Sequence, residues 1–581
     1  MQITGEISRP VTGDTVTVHN LISSADGTHA AVLTDVALYA GTATEYATLY
    51  NVVFAGDSDL TGYITIEKTQ SQREIGVATG STLTIDNATF DLRGMASGSK
   101  VLIVNGALDD TSVAFTLPAG MAGLGGELKG WETVKFVYSG IAVNDAAVDT
   151  SVAGTVTLRD AHDGNLYWNG QADDRWNPGS ANWSSSASLE GQESFSALSN
   201  VYFGTGNGGH RDIGVTQDMV VMNLDVTAGD YRFNGARVAV LGNASLHFDS
   251  GVVDFQNQLV VQGNLDAAGA GSLKLSNAAT VAGNAVLNNL STTIAGDLTV
   301  VGQLSVNADS LNISGDVSAS QMNITVNSTK STISGNLTVD AAGEITIGGT
   351  AEQHYTGIVS AGELTVGTEK NDVYFSHLQV GSLTVGKDAH VHVQTASDSV
   401  AVSSSSMPDI YLSGTLSLDS YGATYDRGYD VHVEDDAARL RFGAGCTIDN
   451  LNIIGQQDAS GYTDVGIEVL SHSATVTKMQ DLGNLSVETG SLTVKNAAGA
   501  VHGKLILDNG KLKLGEGSDN IMAGDSGAIQ LKNGGRLDIG KTSQTLSDNN
   551  DVSLSGASSI TGEAEGSGLE LGNGVYVNYA S

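Results

Sequence analysis

Two histidines that flank a valine form the shortest pattern with metal-binding potential in this chain of 581 residues. Alternate residues of a β-strand point to the same face, so the imidazoles of His390 and His392 would lie side by side. Two imidazoles could begin a zinc site, which takes three or four protein ligands. No third ligand is evident nearby in the sequence, and Val391 and Val393 take the inward positions. The sequence therefore predicts exposed histidines and no bound metal.

Residues 419–442 form the densest patch of tyrosine and aspartate in the chain. An inserted loop would explain this patch, and so would a ligand-binding site, because loops that leave a rigid scaffold often carry function. Asp435 and Asp436, two adjacent carboxylates in the patch, could act as a catalytic pair in glycoside hydrolysis. Neighbouring residues on a strand point to opposite faces, so this pair would act on one substrate only from a loop. The candidate ligand-binding residues here are Tyr421, Tyr425, Tyr429, Asp430, Asp435 and Asp436.

Three of the four tryptophans, Trp168, Trp176 and Trp183, lie close together in the sequence. They are candidate ligand-binding residues, because sugar rings stack on indole faces. They could equally form a small core that covers the end of a repeat array. The second interpretation is favoured, because exposed rows of strand edges need covering.

A recurring strand pattern indicates the elements that must position these residues. G-D-L-T-V at 296–300 returns as G-N-L-T-V at 335–339, G-E-L-T-V at 362–366 and G-S-L-T-V at 381–385. Apolar residues alternate with polar ones in each copy, which is typical of a strand with one buried face. A strand that returns about every 20 residues predicts a stacked array. The expected fold class is all-β, a parallel β-solenoid (β-helix) with an irregular β-rich N-terminal part.

The same pattern divides the chain into five parts. Residues 1–164 are a β-rich N-terminal region, expected to be solenoid as well, and 165–209 are a Trp-rich capping or junction segment. Residues 210–395 are regular solenoid, and 396–470 are disturbed solenoid with the Tyr/Asp-rich loop. Residues 471–581 are C-terminal rungs.

Charge and cysteine content narrow the possible functions. With 64 acidic residues against 27 Lys and Arg, the net charge is −37, so no nucleic acid is expected as a partner. No apolar run approaches the roughly 18 residues of a membrane-spanning helix, so direct membrane insertion is not expected. Cys446 is the only cysteine and is predicted to be a small buried apolar residue.

One segment resembles a known family. W-N-G at 168–170, W-N-P-G-S-A-N-W at 176–183 and V-Y-F-G at 201–204, followed by glycine-rich repeats, are similar to the passenger regions of bacterial autotransporters. The resemblance is closest to passengers that carry autotransporter-associated β-strand repeats, and it covers roughly residues 128–540. It implies a right-handed parallel β-solenoid exported to the cell surface. The translocator of that family has no counterpart in this sequence, so we expect an exported segment of a larger bacterial outer-membrane protein.

The expected function is a non-enzymatic elongated stalk or adhesin, monomeric, at the cell surface or secreted. Its expected partner is a glycan, a host surface or the surface of a neighbouring cell. The alternative is a polysaccharide-acting β-helix enzyme or a depolymerase like a phage tail spike, which would need a groove lined by convergent acidic, arginine and tyrosine side chains. A third hypothesis, calcium-stabilised self-association between cells, follows from the acidity. No cofactor is otherwise expected.

Overall fold

The computed structural model describes most of the chain after residue 163 and mainly strands before it. In the second part it leaves out 206–208, 368, 395–408, 420–423, 426–428, 436, 456, 459–460, 463, 470–472, 483, 502–503, 520–527, 547–550, 564–567, 572–576 and 581. Before residue 164 it covers 52–68, 75–95, 125–130 and the strands given below. The described residues contain strands and no helix, and the chain divides into two compact units, Met1–Asn289 and Leu290–Ser581.

The N-terminal part of the first unit consists of short strands that pair mostly in parallel. A seven-stranded sheet has the order β16-β17-β12-β10-β8-β5-β2, and an eight-stranded sheet is built around β9 and β11. Among the strands that the structure describes before residue 164, the pairs β12–β17, β14–β15 and β16–β17 are the antiparallel ones. The side chains of Phe54, Leu83 and Phe90 are fully buried between these strands. The strands are β1 (Gln2–Ile3), β2 (Glu6–Ile7), β3 (Val16–Thr17), β4 (Ile22–Ser23), β5 (Ala31–Leu33), β6 (Val36–Ala40), β7 (Ala47–Leu49), β8 (Val52–Phe54), β9 (Ser58–Lys68), β10 (Ile75–Val77), β11 (Thr82–Met95), β12 (Val101–Val104), β13 (Glu127–Lys129), β14 (Lys135–Tyr138), β15 (Ile141–Ala142), β16 (Ala147–Asp149) and β17 (Thr155–Arg159).

The rest of the first unit is a coil with three strands to a turn. Leu224 pairs with Ala244, and Ala244 pairs with Leu265, so each turn takes about 20 residues. The strands are β18 (Asn165–Trp168), β19 (Arg175–Trp176), β20 (Trp183–Ser184), β21 (Asn200–Phe203), β22 (Asp212–Val215), β23 (Met219–Val221), β24 (Asn223–Val226), β25 (Tyr231–Gly235), β26 (Val238–Val240), β27 (Ala244–His247), β28 (Val252–Phe255), β29 (Leu259–Val261), β30 (Leu265–Leu275), β31 (Ala279–Val281) and β32 (Ala285–Ile294), which contains the division between the units.

The second unit, taken by itself, is also built mainly of strands that pair in parallel. Its strands are β33 (Leu298–Val300), β34 (Gln303–Ile313), β35 (Val317–Ala319), β36 (Gln321–Val326), β37 (Ser331–Ile333), β38 (Leu337–Val339), β39 (Glu344–Gly348), β40 (Gln353–Val366), β41 (Asp372–Val385), β42 (His390–Val393), β43 (Asp409–Leu412), β44 (Thr415–Leu418), β45 (Thr424–Tyr425), β46 (Tyr429–Val433), β47 (Arg439–Phe442), β48 (Thr447–Gly455), β49 (Gln457–Asp458), β50 (Gly461–Tyr462), β51 (Asp464–Val469), β52 (Ala474–Leu482), β53 (Asn484–Thr489), β54 (Ser491–Val501), β55 (Leu505–Asp508), β56 (Lys511–Leu514), β57 (Ile529–Lys532), β58 (Arg536–Asp538), β59 (Ser543–Leu546), β60 (Val552–Ser555), β61 (Ser559–Thr561), β62 (Gly568–Leu571) and β63 (Val577–Ala580).

Alternation along these strands places the core inside the coil. Leu337 and Val339 are buried, whereas Thr338 between them is exposed. Inward apolar residues stack from turn to turn, as Ile333 does on Tyr355, and both of these side chains are buried. The predicted fold class, an all-β parallel β-solenoid with an irregular N-terminal part, is confirmed.

The turn motif of the repeat has a physical explanation in the second unit. A Cβ on Gly335 would lie 1.8 Å from the carbonyl oxygen of Gly315 on the preceding turn, so this close approach requires glycine. The polar residue after the glycine links the turns, because Asp316 Oδ1 accepts a hydrogen bond of 2.9 Å from the backbone N–H of Asn336. Asn336 Oδ1 accepts one of 2.8 Å from the N–H of Ile358. The motif therefore joins consecutive turns at one corner of the coil.

Candidate metal centre

The candidate site lies on the outward face of three consecutive strands in the second unit. Strands β40, β41 and β42 pair in parallel, and their register aligns His354 with Tyr374 and Tyr374 with His392. The neighbouring residues Phe375 and Val393 point into the core and are fully buried. Because buried side chains fix the strands from below, the outward side chains form one ordered column.

Aromatic rings stack along this column. The ring centroids of His354 and Tyr374 are 4.3 Å apart with an interplanar angle of 9°. Those of Tyr374 and His392 are 4.1 Å apart at 11°. The stack lies beside His390, whose ring centroid is 3.8 Å from that of His392. Stacking on Tyr374 restricts the orientation of the His392 ring.

Asp372 completes a group of three potential metal ligands. It is the register partner of His390 on the preceding turn. Its Oδ1 atom lies 3.1 Å from His390 Nδ1 and 3.6 Å from His392 Nε2. One ligand atom from each of the three side chains lies within 4.8 Å of the others. Two imidazole nitrogens and one carboxylate oxygen thus converge on one point of the surface.

The other nitrogen of each histidine has a partner on the following turn. His390 Nε2 lies 2.6 Å from the hydroxyl oxygen of Ser417, which is buried. His392 Nδ1 lies 2.6 Å from Asp419 Oδ2. These contacts orient both rings and direct His390 Nδ1 and His392 Nε2 toward Asp372. The same pattern of outer hydrogen bonds is typical of histidines that bind metals.

The site is largely enclosed on the histidine side and open on the aspartate side. The side chains of His390 and His392 are 20% and 13% exposed, whereas that of Asp372 is 53% exposed. Burial lowers the pKa of His390 to about 4, helped by the nearby His392 and Arg441 and opposed by Asp372 and Asp419. His390 is therefore a neutral imidazole at neutral pH, which is the form that binds a metal. His392 Nε2 has no hydrogen-bond partner among the described residues.

These positions correct two expectations for the histidines. His390 and His392 are mostly buried rather than exposed, and a third potential ligand does lie beside them. Asp372 was missed because it belongs to the preceding turn and not to the neighbouring sequence. The sequence signal that indicates Asp372 is the pair of aligned segments D-V-Y-F at 372–375 and H-V-H-V at 390–393.

The three tryptophans lie in the first unit, in a buried aromatic cluster. Trp168 is 1% exposed, and Trp176 and Trp183 are fully buried. The ring centroids of Trp168 and Trp183 are 5.2 Å apart, and those of Trp176 and Trp183 are 5.3 Å apart. Phe195 and Phe203 pack against the same rings. Sugar stacking needs an exposed ring face, so these tryptophans do not form the binding platform considered from the sequence; they form an aromatic core.

The tyrosine and aspartate candidates lie in the second unit, and the structure describes the side chains of three of the six. Tyr421 and Asp436 lie outside the described residues, and only the backbone of Tyr425 is described, in β45. The other three are Tyr429, Asp430 and Asp435.

These three side chains have separate surroundings. Tyr429 points into the core and is 4% exposed. Asp430 Oδ1 accepts a hydrogen bond of 3.1 Å from Asn452 Nδ2. Asp435 Oδ2 lies 2.9 Å from Lys387 Nζ, and this hydrogen bond lowers the pKa of the Asp435 carboxyl. Tyr429 thus faces the core, whereas each of the two carboxylates has a polar partner on another strand or corner of the chain.

In comparisons with protein-family models, curated proteins and solved structures, none matches this chain. Among the described residues, no helix has the length and apolar character to cross a membrane.

Proposed function

We propose that this chain is a non-enzymatic β-solenoid scaffold, a stalk or adhesin, in the exported part of a larger bacterial surface protein. The observation that carries the proposal is the ladder of outward polar side chains that repeats from turn to turn. In the second unit, Asn327 Nδ2 donates to Asn307 Oδ1 at 3.0 Å, and Gln303 Nε2 donates to Gln321 Oε1 at 2.5 Å. Such ladders stabilise the coil itself, as expected of a scaffold.

The first unit contains a ladder in which side-chain oxygens accept hydrogen bonds from backbone N–H groups of the next turn. Asn223 Oδ1 accepts a hydrogen bond of 2.8 Å from the N–H of Asn243, and Asn243 Oδ1 accepts one of 2.9 Å from the N–H of Asn264. The polar side chains at these positions are thus engaged by the neighbouring turn. This arrangement supports a mainly structural role for the regular turns.

Charge and the sequence resemblance support a role outside the cell. The net charge of −37 disfavours binding to nucleic acid and to anionic membranes. The only cysteine, Cys446, is buried, so the fold depends on no disulfide within the chain. The tryptophan segment 168–183 and the glycine-marked repeats resemble autotransporter passengers. The partner proposed on this basis is a glycan, a host surface or the surface of a neighbouring cell.

The experiment compares adhesion with turnover. Beads coated with the purified chain are incubated with bacterial and mammalian cells and with a panel of immobilised glycans, and beads coated with an unrelated acidic protein serve as the control. We expect retention above the control on at least one surface and no release of reducing ends from any glycan. Saturable release of reducing ends, or retention no greater than that of the control on every surface, would contradict it.

One groove favours the polysaccharide-acting enzyme as a second candidate. It has a volume of about 620 Å³ in the second unit and is lined by side chains from successive turns that include Arg439, Glu488 and Asp508. Burial raises the pKa of Glu488, opposed by Arg439 and helped by the neighbouring carboxyl of Glu468. A raised pKa keeps a carboxyl protonated to a higher pH, and a general acid must be protonated in order to act. However, Arg439 Nε lies 3.2 Å from Glu488 Oε1, which is also expected of a plain ion pair.

The substitution Glu488→Gln separates these two roles of Glu488. An enzyme would lose its glycan turnover while the protein kept its fold. A scaffold has no turnover to lose, and the variant would change only the thermal stability. Measured release of reducing ends by the unsubstituted chain that is abolished in this variant would establish the second candidate over the first.

A further inference from the structure

The Asp372, His390 and His392 cluster has the dimensions of a metal site. A tetrahedral zinc site with bonds of about 2.0–2.1 Å places its ligand atoms roughly 3.3 Å apart. Asp372 Oδ1 lies 3.1 Å from His390 Nδ1 and 3.6 Å from His392 Nε2. We propose that these three side chains bind a divalent transition-metal ion such as zinc. This site is independent of the scaffold function proposed above.

The hydrogen bonds of the two histidines with Ser417 and Asp419 determine which ring nitrogen of each histidine faces the position of the ion. If His392 Nδ1 donates its hydrogen to Asp419 Oδ2, the lone pair of Nε2 faces Asp372. If His390 Nε2 donates to Ser417 Oγ, the lone pair of Nδ1 faces the same point. Both tautomers are set by residues one turn further along the coil. A carboxylate or hydroxyl behind a ligating histidine also raises its affinity for the metal.

The strands beneath the site hold the ligands in place before any ion binds. Val373, Val391 and Val393, which alternate with the ligands, are fully buried. The ring of Tyr374 stacks on His392 at 4.1 Å. Ligands on paired strands are positioned more accurately than ligands on loops, so binding requires little reorganisation.

The ligand set selects the class of ion. Two imidazoles and one carboxylate suit zinc and similar transition metals. Calcium and magnesium prefer sites made of oxygen atoms, so the calcium considered from the acidic composition does not fit this cluster. Three protein ligands leave at least one coordination position for water or for a donor atom from a partner. The exposure of Asp372 places that position at the surface.

Without an ion, the same two atoms of His390 and Asp372 would form a hydrogen bond between Nδ1 and Oδ1. The experiment distinguishes this hydrogen bond from a metal site. The full chain, purified without a polyhistidine tag and treated with a chelator, is titrated with zinc by isothermal calorimetry and with cobalt by visible absorption. The expected result is about one ion per chain, with the cobalt absorption of a site containing nitrogen ligands. Calcium at the same concentration should not compete.

Four variants assign the binding to this cluster. His390→Gln, His392→Gln and Asp372→Asn should each abolish the cobalt spectrum and the zinc isotherm. Asp419→Ala should weaken zinc binding about 10- to 100-fold and shift the cobalt spectrum, because Asp419 orients His392 without touching the ion. Circular dichroism and thermal melting verify that each variant is folded.

His432→Gln is the matched control. His432 Nε2 lies 3.1 Å from Asp409 Oδ1, and its ring stacks on Tyr411 at 4.7 Å, but no third ligand joins this pair among the described residues. Zinc binding should be the same in this variant as in the unsubstituted chain. No binding by the unsubstituted chain, or equal loss in His392→Gln and His432→Gln, would overturn the proposal.

Discussion

The role of Trp176 is decided by its surroundings and not by its residue type. Its indole ring is fully buried among Trp183, Phe195 and Phe203. Replacement by alanine should lower the free energy of unfolding by about 3–5 kcal/mol, the usual cost of removing a large buried aromatic side chain. Denaturant unfolding followed by circular dichroism measures this loss. An unchanged midpoint together with loss of glycan binding would restore the ligand-binding role.

Cys446 should be chemically inert in the folded chain. It is 1% exposed, and burial raises its pKa to about 11. The reactive thiolate is therefore scarce at pH 8 and becomes abundant only as the pH rises toward that pKa. Reaction with a chromogenic disulfide reagent at pH 8 should be at least about 100-fold slower for the native chain than for the chain in denaturant. Comparable rates would show that the thiol is accessible in the folded state.

The sequence predicted the role of residues that depend on their neighbours along the chain. It did not predict the role of residues whose contacts lie on the next turn of the coil. The burial of Cys446 was predicted from its apolar surroundings and is confirmed. The pairing of Asp372 with His390 was not predicted, because alternation within one strand does not indicate the register between strands. That register depends on the lengths of the intervening corners, which differ from turn to turn.

At the scale of the elements, a glycine that touches the backbone of the preceding turn should tolerate substitution much less than a glycine without such a contact. In Gly335→Ala the new methyl group would meet the carbonyl oxygen of Gly315 at 1.8 Å, so a cost of about 1–3 kcal/mol is expected. Gly348→Ala is the matched control, because its nearest neighbour would be Thr325 Oγ1 at 3.6 Å, an ordinary contact. Thermal melting should show a clear drop for the first variant and little change for the second.

The strands themselves were predictable, because each one carries its own signature. The alternation in G-N-L-T-V at 335–339 predicted that Leu337 and Val339 point inward, and both are buried. The function of the polar residue after the glycine was not predictable. Asn336 links two turns through its side chain, and this depends on the position of the N–H of Ile358.

At the scale of the whole molecule, charge should control self-association. The net charge of −37 at pH 7 repels other copies of the chain. Protonation of carboxylates near pH 4 removes this repulsion, so light scattering should show a monomer at pH 7 and association near pH 4. About 0.5 M salt at pH 7 should produce part of the same effect by screening. A constant particle mass across these conditions would contradict the prediction.

We propose that this chain is displayed outside the bacterial cell as a scaffold, and its exposure on intact cells tests this proposal most directly. Cells of the producing bacterium are treated with a non-penetrating protease, and the chain is then followed with an antibody beside a cytoplasmic marker. We expect the chain to be degraded or released while the marker stays intact. Complete protection of the chain in intact cells, with degradation only after lysis, would contradict it.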